Sequence, residues 1–216
     1  MGRSIEIVEI TWLSLRVSMA AVLMSTLVGI PLGAWVGMGR MRAKAVVSVL
    51  ARTGMALPPV VVGLVLYLLL SRSGPLGSLG WLFTPRAMVL AQTLLALPFV
   101  VGITMAAVEA VPPDLILQVR SLGASPWPAR LTVPREARSG IALAVATALG
   151  RSFSEVGAVL IVGGNVEGHT RVLTTAIVLE TGKGHFADAL ALGGVLLALA
   201  LAANAVIVLV HGRPSP

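Results

Sequence analysis

Apolar runs without a charged residue, each long enough to cross a bilayer, leave this chain few architectures. They cover residues 17–39, 53–71, 87–108 and 189–210, with a further run at 139–166 interrupted only by Arg151 and Glu155. A spanning helix needs roughly 17–25 residues. Inside lipid the backbone must satisfy its own polar groups, which leaves helices as the form these runs can take. The sequence therefore predicts an all-α membrane protein with five transmembrane helices, forming one transmembrane domain over residues 1–216. Composition agrees: 12% of residues are charged, against about 25% in an average soluble domain. The first helix is expected to begin near Thr11, with Arg16 reaching back to the interface. Glu6 and Glu9 precede it and no small-residue cleavage site follows, so it reads as a retained helix and not a signal peptide.

The net charge of +7 reports topology before it reports any nucleic-acid partner. Arg40, Arg42, Lys44 and Arg52, then Arg120, Arg130, Arg135 and Arg138, then Arg213 fall on one side. Arg3, Arg72, Arg86, Arg171 and Lys183 fall on the other and are fewer. The bias predicts an N-terminus outside and a C-terminus in the cytoplasm. An odd number of spans likewise requires the two termini to lie on opposite sides.

A polar island at 109–140 lies on the expected cytoplasmic side and is longer than a connector needs. Pro112 and Pro113 suit a first helical turn, Asp114 complements the helix dipole, and Leu115, Ile116, Val119 and Leu122 share an apolar side. Gly123 stands where a left-handed C-terminal cap is needed. A second short helix starts with Ser125 as N-cap and Pro126 at its first position, and is expected to end before Pro134. Two short helices with an apolar side suggest a plug for another protein. The competing reading is an amphipathic segment lying on lipid headgroups.

Gly29, Gly33 and Gly37 recur every four residues in the first span, a spacing that lets helices approach closely. Packing within the chain is favoured over a dimer seam. Pro58, Pro59 and Pro98 are expected to kink the second and third spans. Gly163-Gly164-Asn165 signals a turn, and Val172 to Glu180 a short helix ending at Gly182. Arg151 and Glu155 stand four apart, with Ser154 on the same helical face. Charges in a span face the bundle interior or a wet cavity. The pair is either a lock between helices or one wall of a permeation path. In the second case Ser154, Gly157, Gly163, Gly164 and Asn165 join it. There is no cysteine, no metal-ligand spacing around His169, His185 and His211, no phosphate-binding glycine loop with lysine, and no Gly-x-Ser-x-Gly. The chain is not expected to bind a metal or ATP, or to be an enzyme.

Ser121-Leu122-Gly123-Ala124-Ser125, followed by a short helix and Pro134, resembles the cytoplasmic coupling loop of ABC importer permeases. Leu117-Gln118-Val119 stands where that family carries Glu-Ala-Ala, and Val133 takes the place of an Ile. Pro134 falls two places early. Gly150-Arg151-Ser152-Phe153-Ser154-Glu155-Val156-Gly157-Ala158 resembles the Arg-x-x-x-Glu-x-Gly-Ala stretch of the molybdate, sulfate and tungstate permeases. The continuation through Gly163, Gly164, Asn165, Thr174 and Thr175 is most similar to the tungstate type. The resemblance implies a multi-pass subunit of the inner membrane that forms a homodimer. Two ATP-binding cassette subunits would bind ATP and magnesium, and an external oxyanion-binding protein would deliver cargo. It places Arg120, Leu122, Gly123, Ala124, Ser125 and Trp127 at the ATPase coupling surface. It supports Arg151, Ser154, Glu155, Gly157, Gly163, Gly164 and Asn165 as the translocation path. A stand-alone carrier without an ATPase is the rival class.

Overall fold

A computed structural model describes residues 2–39, 43–123 and 125–211. The described residues form ten α-helices, a single 3-10 turn at Gly77–Leu79 and no strand. In chain order the helices are α1 (Gly2–Met38), α2 (Ala43–Met55), α3 (Pro59–Leu70), α4 (Pro85–Glu109), α5 (Asp114–Ser121), α6 (Pro126–Glu136), α7 (Arg138–Phe153), α8 (Gly157–Gly163), α9 (Leu173–Gly182) and α10 (Phe186–His211). Three helices are long and apolar enough to cross a membrane alone, within Glu6–Met38, Pro85–Glu109 and Phe186–Ile207. Two bent pairs, α2 with α3 and α7 with α8, bring the spans to as many as five.

The axis of the bundle is the pairing of α1 with α4, the most extensive in the molecule. Its cause is the glycine stripe. A Cβ at Gly29 would lie 2.7 Å from Val100, one at Gly33 2.6 Å from the Val101 carbonyl, and one at Gly37 2.9 Å from the Met105 carbonyl. The two helices run parallel in constant register, backbone nearly against backbone, as small residues permit in lipid. The stripe is thus used within the chain. α7 packs against both α4 and α1, and α10 lies at the periphery against α9 and α7. The α10 span is only 6% buried.

Several expectations need correction. α1 starts at Gly2 and not near Thr11. The second span is not one kinked helix: α2 and α3 meet at 98°. Pro58 has extended backbone, and Pro59 opens α3 in the first turn, where a missing N–H costs no helical bond. The fourth span is likewise two helices, bent by 57°. α6 does not stop before Pro134 but runs through it to Glu136. Buried Ala129, Val133 and Ala137 anchor that helix. Val133 and Ala137 pack with Ala34 and Val108, and this burial outweighs one lost hydrogen bond near a helix end. α9 matches its expected span closely, and α4 continues through Pro98. Arg40, Arg42, Ala124 and Arg213 lie outside the described residues, as does the side chain of Trp127.

The α1–α4 contact yields a direct test. Gly33→Val must push the Val101 carbonyl and Thr104 apart, an overpacking cost of about 1–3 kcal/mol. Gly150→Ala meets nothing within 4 Å. Thermal unfolding in detergent should show a lowered midpoint for the first and an unchanged one for the second. Equal midpoints would refute the packing role.

Candidate functional site

The chain breaks its helical ladder between α7 and α8, at Ser154, Glu155 and Val156. Several backbone groups at the break are bonded to side chains. Glu155 Oε1 accepts the Ala158 N–H at 3.0 Å, so a carboxylate caps the N-terminal turn of α8. Its other oxygen, Oε2, meets Arg151 Nη2 at 3.5 Å. The Glu155 carbonyl accepts from Thr174 Oγ1 of α9 at 2.9 Å. The Ser152 carbonyl accepts from Gln92 Nε2 of α4 at 3.0 Å. Four helices are thereby tied at one point. Glu155 is 2% exposed and Arg151 26%, so the buried acid is the member that depends on its partners. Ser154 is exposed and its hydroxyl donates to the Arg151 carbonyl at 3.1 Å.

A cavity of about 10 Å³ adjoins the break, lined in part by Ser14, Ser18, Gln92, Ser152 and Thr174. Gln92 Oε1 and Ser152 Oγ are buried without a protein partner. The space suits a single water with donors and acceptors at hand. Ser14 completes this layer: its hydroxyl donates to the Ile10 carbonyl and accepts from Leu173 N at 2.8 Å. Gly157 serves close packing, because a Cβ there would meet Val60 of α3 at 2.8 Å. From the other helix, a Cβ on Gly63 would sit 2.7 Å from the Ala158 Cα.

Gly163, Gly164 and Asn165 stand at the opposite end of α8, about 10 Å away at the helical rise. Gly164 is the left-handed C-cap at φ 72°, with the Phe83 ring against it. Asn165 is left-handed too, at φ 51°. Thr170 Oγ1 holds this turn, donating to the Gly163 carbonyl at 2.6 Å and accepting from Val166 N at 2.9 Å. The structure therefore gathers Arg151, Ser154, Glu155 and Gly157, and sets Gly163, Gly164 and Asn165 apart from them. Sequence reasoning missed Ser14, Gln92, Ser152 and Thr174. Gln92 was the available signal, an amide inside an otherwise apolar span.

The α5–α6 hairpin is the second candidate surface. α5 has Asp114 in its first turn and Arg120 in its last, and none of its residues is buried. Leu122, just past it, is 87% exposed. Gly123 takes φ +94°, and Ser125 has extended N-cap backbone without a side-chain cap bond. α6 roots the hairpin through buried Ala129 and Val133, α5 adds half-buried Ile116 against the same cluster, and the single residue Ala137 separates α6 from α7. On the opposite face Glu180 bonds Lys183 at 2.9 Å and His185 at 2.8 Å. Lys183 first, then His185, holds its carboxyl below the usual range. Glu180, His185 and Asp188 offer ligand atoms within 4.8 Å of one another. Lys183 already occupies that carboxylate.

Comparison with known proteins gives one family match and several relatives. Residues 29–213 match the binding-protein-dependent transport system inner membrane component. A probable anion ABC transporter permease protein of Haloferax volcanii is 50% identical over 92% of this chain and 88% of its own length. The tungstate uptake system permease protein TupB of Peptoclostridium acidaminophilum is 40% identical over 94% and 89%. The molybdenum transport system permease protein ModB of Azotobacter vinelandii is 31% identical over 76% of each chain.

The break geometry separates the two duties of Glu155. Glu155→Gln keeps an acceptor for Ala158 N–H and loses only the ion pair. Glu155→Ala loses the cap as well, about a further 1 kcal/mol. The exchange Arg151→Glu with Glu155→Arg preserves the charges but puts a pure donor where an acceptor is needed. Thermal midpoints should fall in the order wild type, Gln, Ala, with the exchange no better than Ala. A fully restored midpoint in the exchange would remove the capping role.

Proposed function

The chain belongs to the family of binding-protein-dependent transport system inner membrane components, and on that premise we propose that it is the permease subunit of an ATP-driven oxyanion importer, with tungstate as its cargo. The observation that carries the cargo assignment is the 40% identity, over nearly the full length of both chains, to a protein named as a tungstate uptake permease. Molybdate is the second reading, favoured by the more distant relative named for molybdenum transport.

In this reading two copies enclose the path and two separate ATPases grip the α5–α6 hairpins. The chain has no phosphate-binding loop of its own, so the energy must come from another subunit. The basic residues around α2, α5 and α6 set that face in the cytoplasm and the N-terminus outside. The exposed Leu122, with Arg120, Gly123, Ala124, Ser125 and Trp127, forms the gripped tip. ATP-driven closure displaces the tip, α6 passes the displacement through Ala137 to α7, and α7 delivers it to the break at Glu155. A docked external protein must favour the same open state, since a ligand shifts an equilibrium only by its differential affinity. Arg151, Ser154, Glu155 and Gly157, with Gly163, Gly164 and Asn165 beyond, are the path residues in this account. Arg151 is held by Glu155, so cargo would meet weak polar contacts and selectivity would rest with the external protein.

Reconstitution with the cognate ATPase and external protein tests the proposal. Tungstate uptake should require ATP and both partners, and a large excess of sulfate should compete poorly. Uptake by the permease alone would establish the stand-alone carrier instead. Preferred uptake of molybdate would move the cargo assignment and leave the importer reading intact. Gly123→Val tests coupling separately. A Cβ there meets nothing within 4 Å, so the strain is purely that of left-handed backbone, about 1–2 kcal/mol. The variant should assemble normally and lose most ATP-dependent uptake. Undiminished uptake would exclude the hairpin tip as the coupling element.

A further inference from the structure

Beside the α1–α4 axis, apart from the hairpin and sharing only Val17 with the cavity at the break, an open groove of about 400 Å³ runs along the surface. Its walls are apolar: Leu13, Val17, Ala20 and Met24 from α1 face Val89 and Leu90 from α4. Two arginines, Arg16 and Arg86, also line it, and both are exposed. Arg86 lies in the first turn of α4. Arg16 of α1 and Trp81 line the same groove beside it. From Arg16 to Met24 the apolar wall extends about 12 Å farther into the span.

Neither arginine has a salt-bridge partner among the described residues. Lys44 faces Glu109, Arg151 faces Glu155, Arg171 faces Glu6 and Glu167, and Lys183 faces Glu180; Arg52, Arg72, Arg120, Arg130, Arg135 and Arg138 also lack an acid among the described residues, but none of them lines this groove. Two unneutralised cations at one end of a hydrophobic furrow, at the depth where a span begins, match one molecule in both parts. The geometry points to an anionic phospholipid, its phosphate between Arg16 and Arg86 and one acyl chain along Val17, Ala20, Met24 and Leu90. Arginine suits this headgroup because its planar fork donates two hydrogen bonds to phosphate oxygens. Basic pockets between membrane helices bind anionic headgroups on the same principle. The site lies in the leaflet opposite the α5–α6 hairpin. It does not depend on the cargo or on coupling to an ATPase.

Lipid retention tests it without any transport readout. The full chain is placed in nanodiscs of equimolar phosphatidylglycerol and phosphatidylcholine, released into mild detergent, and weighed intact by native mass spectrometry. Wild type should retain phosphatidylglycerol over phosphatidylcholine on the order of tenfold, the scale two arginines set at an anionic surface. Arg16→Gln with Arg86→Gln should bring the ratio to parity. Ala20→Trp, which fills the furrow and leaves both cations, should cut the retained lipid severalfold. Arg72→Gln, a loop cation that does not line the groove, should change nothing. All variants should elute as wild type does. Parity in wild type, or a preference undiminished by the double substitution, would overturn the site. The chain has no cysteine, so Met24→Cys gives a clean check on a second copy as occupant. Copy-to-copy disulfide formation there would show the groove sealed by protein and would also overturn the proposal.

Discussion

A helix broken inside a membrane must find partners for the backbone groups it releases, and the architecture of this chain follows from how that demand is met. At the α7–α8 junction the partners come from elsewhere in the sequence. Gln92 takes the Ser152 carbonyl, Thr174 takes the Glu155 carbonyl, and Glu155 itself turns back to cap α8. An unsatisfied group in hydrocarbon costs several kcal/mol, so these bonds are conditions of the bend and not additions to it. Arg151 completes the set by neutralising the acid that does the capping. The question posed by the sequence, lock or path wall, takes a different form here. The pair holds a bend, with the acid buried and the arginine half-buried.

The rest of the bundle divides into a stiff part and a part left to be supported. α1 and α4 meet through glycines at distances that admit no side chain, and this contact fixes their register from Gly29 to Gly37. α3 and α8, both short, cross through Gly63, Gly157 and Ala158 in the same manner. α10 is different. Its span is 6% buried within the chain, and large apolar residues such as Leu190, Leu197 and Leu201 are exposed along it. Lipid or a second copy must cover them.

The elements most legible in the sequence were those governed by local rules. Apolar run length located α1, α4 and α10. Proline and aspartate announced α5, and the left-handed backbone of Gly123 and Gly164 fell where a cap or turn was expected. What escaped was set by tertiary contact. Pro134 reads as a terminator, yet α6 continues because Val133 and Ala137 are buried against Ala34 and Val108. The spacing of Arg151 and Glu155 reads as one helical face, yet Glu155 is outside any helix and reaches Arg151 across the end of α7. Pro58 and Pro59 announced a kink but not a turn of 98°, and the run at 139–166 gave no sign of its 57° bend, because run length does not encode the angle between two helices. The partners of the break were hidden for the same reason: Gln92 and Ser152 are sixty positions apart.

Ala137 stands alone between α6 and α7, buried, with its N–H still bonded to the Val133 carbonyl at 2.9 Å. The following turn is tied as well, by Ile141 N–H to the Ala137 carbonyl at 3.0 Å. Helical bonds thus run through the joint, and no connecting loop separates α6 from α7. In the importer proposed above, displacement of the hairpin tip is then passed to α7 as rotation, and the strain falls on the bend beyond its far end, where Glu155 caps α8.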